Sequence, residues 1–291
     1  MGSSAVPRIF GAAFGTLLMS AYAAPVSAAA LEPVDLELVI ATDVSPSIDE
    51  SEAHLQREGI VEAFLNPQVV EAIEAGSLGK IAVAAIDFSS REYNKIVANW
   101  QIIHDKASAA AFAEAMRKAP TSTGRHTSIS DGIELAELLI ESNMLEGTKK
   151  VIDVSGDGPN NWGRRVSLVR DEAVMKGITI NGLPILGSSS GLDTYYTNCV
   201  IGGPASFVVV AHGFADFARA IRNKLIQEIA LGRPENGAGN PLLRKVAAGS
   251  EARPAPRGGY RRPLNEEGCE NEFGGFPPFS GFDFPLPVPP R

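Results

Sequence analysis

Cysteine and histidine are scarce in this sequence of 291 residues, which contains two cysteines and four histidines. A single possible bridge between Cys199 and Cys269 excludes a small fold that depends on several disulfides, and the sequence leaves open whether the two pair. Catalytic motifs are absent around all four histidines: His54, His104, His126 and His212. The sequence also lacks a Gly-x-Gly-x-x-Gly loop and a P-loop, so no dinucleotide or nucleoside triphosphate site is indicated.

Positively charged residues are fewer than negatively charged ones. The formal net charge is −8, which argues against nucleic acid or an anionic membrane surface as the main partner.

The chain has one conspicuous apolar run, IFGAAFGTLLMSAYAA at residues 9–24, preceded by Arg8 and followed by small residues such as Val26–Ala28. This pattern predicts a signal peptide over residues 1–30, export to the periplasm or the medium, and no membrane span after cleavage. An uncleaved membrane anchor is the alternative.

Buried strands alternate with amphipathic helices from residue 31 to about residue 231. This alternation predicts an α/β domain with a doubly wound, mainly parallel sheet and helices on both faces.

From Gly232 the composition changes, because Gly and Pro are concentrated in residues 232–291. Such a segment buries too little apolar surface to fold alone, so we expect a disordered tail. The sequence does not reveal whether that tail has a role.

The stretch LELVIATDVSPSIDES, residues 36–51, begins as a buried strand and then carries Asp43, Ser45 and Ser47 at alternate positions. Alternate side chains of an extended segment point the same way. One carboxylate and two hydroxyls are therefore expected together beyond the carboxyl end of a strand, where open α/β sheets bind ligands. Oxygen ligands suit Mg²⁺, Mn²⁺ or Ca²⁺ better than zinc. A Ser/Asp-rich turn that caps a helix is the alternative.

This stretch resembles the Asp-x-Ser-x-Ser signature of von Willebrand factor A (vWA) domains, in which it opens a metal-ion-dependent adhesion site (MIDAS). The resemblance implies two further loops. Thr127, where the following helix is expected to begin, matches the hydroxyl ligand of the second loop, with Thr121 and Thr123 as competitors. Asp157 in VIDVSGDG matches the carboxylate of the third loop. Asp153 lies four residues earlier and is expected to be a buried residue inside the strand.

The resemblance covers about residues 35–231 and implies a six-stranded, mainly parallel sheet with one antiparallel edge strand. The segments VIDVSGDGPNN, YY and VIGGP resemble an uncharacterised group of predicted secreted bacterial vWA-like proteins. The implied site binds Mg²⁺, or Mn²⁺ or Ca²⁺, and captures a carboxylate of a protein partner without catalysis. The surrounding rim, expected at Pro159–Trp162 and Gly187–Leu192, would set specificity.

Two other functions stay open. Asp43 could be a phosphoryl-accepting nucleophile of a metal-dependent hydrolase, although Ser45 stands where that motif requires a second Asp. Ser45 could attack an acyl ester, but it lacks the Gly-x-Ser-x-Gly elbow and a His base. Alternatively, the domain is a scaffold that acts through its tail.

Overall fold

The computed structural model describes residues 2, 30–187, 191–231, 253–254 and 269. Contacts divide the chain into residues 1–30 and 31–291. The predicted signal peptide and most of the predicted tail lie outside the described residues, so both stay predictions. Among the residues described, no helix is long and apolar enough to cross a membrane.

The described residues form nine strands, seven α-helices and two irregular helical turns. The strands are β1 (Glu32–Val34), β2 (Glu37–Asp43), β3 (Ile81–Phe88), β4 (Lys95–Ile103), β5 (Leu145–Gly147), β6 (Lys150–Gly156), β7 (Ile178–Pro184), β8 (Phe207–Val208) and β9 (Arg253–Pro254). The helices are α1 (Glu50–Leu65), α2 (Pro67–Glu74), α3 (Lys106–Lys118), α4 (Ile129–Glu141), α5 (Val166–Met175), α6 (Leu192–Tyr195) and α7 (Phe217–Leu231). A π-helical turn, Tyr196–Val200, continues α6, and a 3₁₀ turn, Phe214–Asp216, precedes α7.

The main sheet has the strand order β4-β3-β2-β6-β7-β8-β9. Its pairs are parallel except β3 with β4 and β8 with β9. The predicted six-stranded, mainly parallel sheet with an antiparallel edge strand is therefore confirmed. Two features were not predicted: β9 adds a seventh short strand from the tail, and β1 pairs with β5 in a small separate parallel sheet.

Side chains of the central strands alternate between two apolar layers, because successive residues of a strand point to opposite faces. In β2, Leu38 and Ile40 pack among residues of α1, α2, α3 and α7. Val39 and Ala41 face the other way, toward α4, α5 and the π-helical turn. The central strands are buried on both faces, which explains why they read as continuous apolar runs in the sequence.

Two parts of the predicted tail contact the domain. β9 pairs with β8 in antiparallel register. Cys269 forms a disulfide with Cys199, which lies in the π-helical turn after α6. The pairing that the sequence left open is therefore present in the structure.

Candidate metal site

The first loop of the candidate site leaves β2 at Asp43, whose side chain is fully buried. The backbone N–H of Ser45 donates a hydrogen bond to Oδ1 of Asp43 at 2.8 Å. The Oγ atoms of Ser45 and Ser47 lie 3.1 Å apart. Asp49 then caps α1 in a reciprocal capping box with Glu52, which ends the loop. The predicted convergence of Asp43, Ser45 and Ser47 on one side of this loop agrees with these contacts.

The third loop meets the first because β6 is the parallel neighbour of β2. The carboxyl ends of parallel neighbours lie at the same edge of a sheet. Asp157 follows β6 directly, and its Oδ1 accepts a hydrogen bond from Oγ of Ser47 at 2.8 Å. Ser45, Ser47 and Asp157 therefore form one connected polar group built from residues 110 positions apart.

The second loop differs from the prediction in one respect. α4 begins at Ile129 and is capped by Ser128, whose side chain accepts the N–H of Asp131. Thr127 therefore lies one residue before the cap. Its backbone N–H donates to Oδ1 of Asn161 at 2.9 Å, and its carbonyl accepts the N–H of Asn161 at 2.8 Å. The backbone of Thr127 thus binds the second loop to Asn161 of the third loop. No described hydrogen bond joins the Thr127 hydroxyl to the other predicted ligands.

The electrostatics of the site centre on Asp43. Burial raises the pKa of Asp43 to about 8, and the charge of Asp157 adds to the rise, whereas the N–H of Ser45 opposes it. Oδ2 of Asp43 is buried and has no hydrogen-bond partner in the described structure. A buried carboxylate oxygen without a partner is costly unless a proton or a cation compensates its charge. The residues present therefore fit a hard divalent cation, for which carboxylate and hydroxyl oxygens are suitable ligands.

The described residues contain no group of three or more His, Cys, Asp or Glu side chains that could hold a metal ion. A site at this edge of the sheet therefore depends on the hydroxyls of Ser45, Ser47 and Thr127 as well as on two carboxylates.

Asn160 supports the third loop and was not singled out from the sequence. Its Oδ1 accepts the backbone N–H of Ser130, and its Nδ2 donates to the carbonyls of Trp162 and Arg164. Its own N–H donates to Oη of Tyr195 at 3.1 Å. Asn160, Asn161 and Tyr195 belong to the PNN and YY segments on which the family resemblance partly rested, so those segments have a structural role around the site.

Ser89, at the exit of β3, fixes the second loop. Its Oγ donates to the carbonyl of His126 and accepts the backbone N–H groups of Arg125 and His126. The carboxylate of Asp131 accepts the N–H of Arg91 in the same region. This contact joins the first turn of α4 to the segment that follows β3.

The rim of the site contains an aromatic pair. The rings of His126 and Trp162 are stacked, with their centroids 4.2 Å apart and an angle of 9° between their planes. Trp162 is 38% exposed, so this pair presents an apolar surface beside Thr127. Of the second predicted rim segment, residues 188–190 lie outside the described part of the chain.

Several solved structures share this fold. Proximal thread matrix protein 1 from the mussel byssus, in a form described as having a zinc-occupied MIDAS motif, has a TM-score of 0.50 at 18% identity, covering 67% of this chain and 46% of its own. The pilus adhesin SpaC from Lactobacillus rhamnosus GG has a TM-score of 0.50 at 16% identity, covering 69% and 31%. A von Willebrand factor type A protein from Catenulispora acidiphila has a TM-score of 0.49 at 14% identity, covering 68% and 43%.

This chain spans less than half the length of each of these three structures. At such identities the likeness concerns the fold, which is that of a vWA domain, as the sequence predicted. Comparison with the curated proteins finds no match. The model of one sequence family, described as a protein of unknown function (DUF1194), matches residues 33–232, and the chain therefore belongs to the DUF1194 family.

Proposed function

We propose that the mature chain binds an acidic group of a protein partner through one divalent cation. The ligands would be Asp43, Ser45, Ser47, Thr127 and Asp157, with Mg²⁺ favoured over Mn²⁺ or Ca²⁺. When bound, the cation supplies a coordination position for a carboxylate oxygen of the partner. The chemistry proposed is the capture of a ligand rather than the turnover of a substrate.

One observation carries the proposal. The hydroxyls of Ser45 and Ser47 and the carboxylate of Asp157 are connected by contacts of 3.1 and 2.8 Å, next to a buried carboxylate oxygen of Asp43 that has no partner. A turn that only capped α1 would not need this arrangement, because Asp49 already performs the capping. The zinc-occupied MIDAS motif reported for the mussel byssus protein is in keeping with a cation at a site of this type.

The exposure of the ligands supports an open site. Asp43, Ser45 and Thr127 are buried, whereas Ser47 is exposed and Asp157 is half-buried. A partner would therefore approach over Ser47 and Asp157, which are the accessible members of the set. A carboxylate from a partner suits this geometry, because it can complete the coordination of a cation without entering the domain.

Non-enzymatic binding outside the cytoplasm is part of the proposal. The apolar run before residue 25 and the small residues after it support export. The mussel byssus protein and the pilus adhesin have, by their names, roles in a matrix and in adhesion. Neither the base nor the elbow that an acyl-transfer enzyme requires accompanies Ser45 in the sequence, which favours binding over hydrolysis.

The proposal is tested by titrating purified mature protein with MgCl₂, MnCl₂ and CaCl₂ in a calorimeter. We expect one binding event per chain for the wild type and none for Asp43→Ala. At a hundredfold excess over Kd, binding contributes about 2.7 kcal/mol to stability. That corresponds to a rise in Tm of roughly 5–11 °C for a domain of this size.

Asp49→Ala is the matched control, because it removes an exposed carboxylate from the same loop region. It should cost about 1 kcal/mol through the lost helix cap and should leave metal affinity unchanged. A pull-down of partners with Mg²⁺ or with EDTA extends the test. Partner binding that survives both EDTA and Asp43→Ala would refute the metal-dependent reading and leave the domain as a scaffold.

A further inference from the structure

Two buried oxygen atoms without hydrogen-bond partners lie near Gly156, beside the candidate metal site. They are Oδ2 of Asp43 and Oη of Tyr196, and both side chains are fully buried. A Cβ atom added to Gly156 would lie 2.9 Å from the first and 3.0 Å from the second. Gly156 is the last residue of β6, so the absence of a side chain there leaves space in which the hydroxyl and the carboxylate can meet.

Tyr196 begins a turn next to a residue that contacts the loop carrying Asp157. It is the first residue of the π-helical turn that continues α6, and its ring packs closely over Gly182 of β7. Tyr195, its neighbour, accepts the N–H of Asn160 in the loop that carries Asp157. α6 and the turn that continues it therefore adjoin the loop that carries Asp157. A π-helical turn is a helical irregularity that is frequent at functional sites.

Arg170 and a disulfide hold the π-helical turn in place. The guanidinium of Arg170 donates hydrogen bonds to the carbonyls of Asn198, Cys199 and Ile201 at 3.1–3.3 Å. The disulfide between Cys199 and Cys269 joins the same turn to the C-terminal tail. A covalent link to a segment 70 residues further along the chain therefore lies three residues after Tyr196.

We propose that Tyr196 is a positioning residue of the metal site and that the disulfide between Cys199 and Cys269 keeps it in place. The Tyr196 hydroxyl would reach Oδ2 of Asp43 through one water molecule, because the two atoms are not in direct hydrogen-bond contact in the structure. This water-mediated contact holds the carboxylate in the orientation that the cation requires. The inference rests on the function proposed above and adds to it a means by which the tail controls the affinity of the site.

The opposite interpretation is that Tyr196 only fills the core. A buried hydroxyl without a partner costs stability, so replacing it with hydrogen would then be neutral or stabilising and would not affect metal binding. A positioning role predicts a different result, because partners that orient the ligands of a metal typically change its affinity 10–100-fold when they are removed. Metal affinity and the stability of the metal-free protein therefore distinguish the two interpretations.

The experiment measures the affinity for Mn²⁺ alone by calorimetry, and the Tm of the metal-free protein, for the full mature chain. Tyr196→Phe removes one oxygen and keeps the ring. We expect a loss of about 10–100-fold in affinity, with the Tm of the metal-free protein unchanged or raised. Tyr93→Phe is the control, since it removes a tyrosine hydroxyl elsewhere in the domain, and its affinity should equal that of the wild type.

The link to the tail is tested by a double-mutant cycle. Replacing Cys199 and Cys269 together by Ser should weaken Mn²⁺ binding when Tyr196 is present and have no further effect when Phe stands at position 196. Equal affinities of Tyr196→Phe and the wild type would overturn the inference and leave the proposed function intact. Additive losses in the cycle would overturn the link through Tyr196. A wild type that binds no metal would overturn the proposed function and this inference together.

Discussion

Lys224 of α7 is expected to be one of the most important single residues for stability, although it takes no part in the candidate site. It is fully buried, and its ammonium group donates to the carboxylates of Asp153 in β6 and Glu228 in α7. Asn181 of β7 donates a further hydrogen bond to Glu228. Both acidic side chains are almost fully buried as well, and each has one oxygen without a partner in the described structure. Lys224 is therefore the cation that pairs with both of these buried acidic side chains.

Lys224→Met keeps the length and apolar volume of the side chain and removes its charge. Removing one partner of a buried ionic group costs about 3–5 kcal/mol, because the remaining charge stays buried without compensation. For a domain of about 200 residues this corresponds to a fall in Tm of roughly 6–20 °C. Urea denaturation followed by circular dichroism measures the change in the free energy of unfolding.

Asp153→Asn is the contrasting variant, since it removes one of the two carboxylates and preserves the shape of the side chain. We expect a smaller loss of stability than for Lys224→Met, because Glu228 still pairs with Lys224 in this variant. Burial raises the pKa of Asp153 well above its usual value, and the neighbouring Glu228 raises it further. The stability that a raised pKa contributes is complete at low pH and is lost as the pH rises toward the pKa of the folded state. Asp153→Asn should therefore flatten this pH dependence. The charge argument is wrong if the free energy of unfolding of Lys224→Met lies within about 1 kcal/mol of the wild-type value. It is also wrong if Asp153→Asn lowers the free energy of unfolding as much as Lys224→Met does.

Three further predictions concern the tail, the rim and the export signal. Cys269→Ser should destabilise the domain by up to about 4 kcal/mol in urea denaturation, since the disulfide closes a loop of 70 residues; an unchanged free energy of unfolding would mean that the tail contributes little to the fold. Trp162→Ala should reduce the recovery of EDTA-sensitive partners and leave the calorimetric metal affinity unaltered, because Trp162 forms the rim and provides no ligand; a lost metal affinity would contradict this division. N-terminal sequencing of the protein from its native compartment should find a first residue within Ala29–Leu31, and an intact Met1 would exclude cleavage.

The parts of the site that the sequence could predict are those with a local pattern. Asp43, Ser45 and Ser47 alternate along one extended segment, so their common direction follows from strand geometry alone. Asp157 ends a recognisable apolar strand, and the adjacency of β2 and β6 brings it to Ser47. The mainly parallel α/β sheet could be inferred because the apolar runs and helices alternate regularly. Each of these features depends on residues close together in the chain, or on pairing that a parallel sheet imposes.

The second loop shows where local reasoning was insufficient. Thr127 and Ser128 are adjacent hydroxyl residues before an apolar helix, and either could serve as its cap. The structure assigns the cap to Ser128, because the Thr127 backbone is bound in both directions to Asn161. A residue 34 positions away thus decided the role of Thr127. Sequence patterns around the helix contain no information about that contact.

The features that could not be predicted share one physical property, which is that long-range contacts determine them. A two-residue strand such as β9 has no periodicity to detect, and the pairing of Cys199 with Cys269 depends on where the tail returns to the domain. In the sequence, Tyr196 stands out only as part of the YY segment, which assigns it no role. Its significance comes from the space at Gly156 and the unpartnered oxygen of Asp43, which three separate strands and turns bring together. The metal ligands that we propose can therefore be read from the sequence, whereas the residues proposed to set the strength of metal binding depend on the three-dimensional fold.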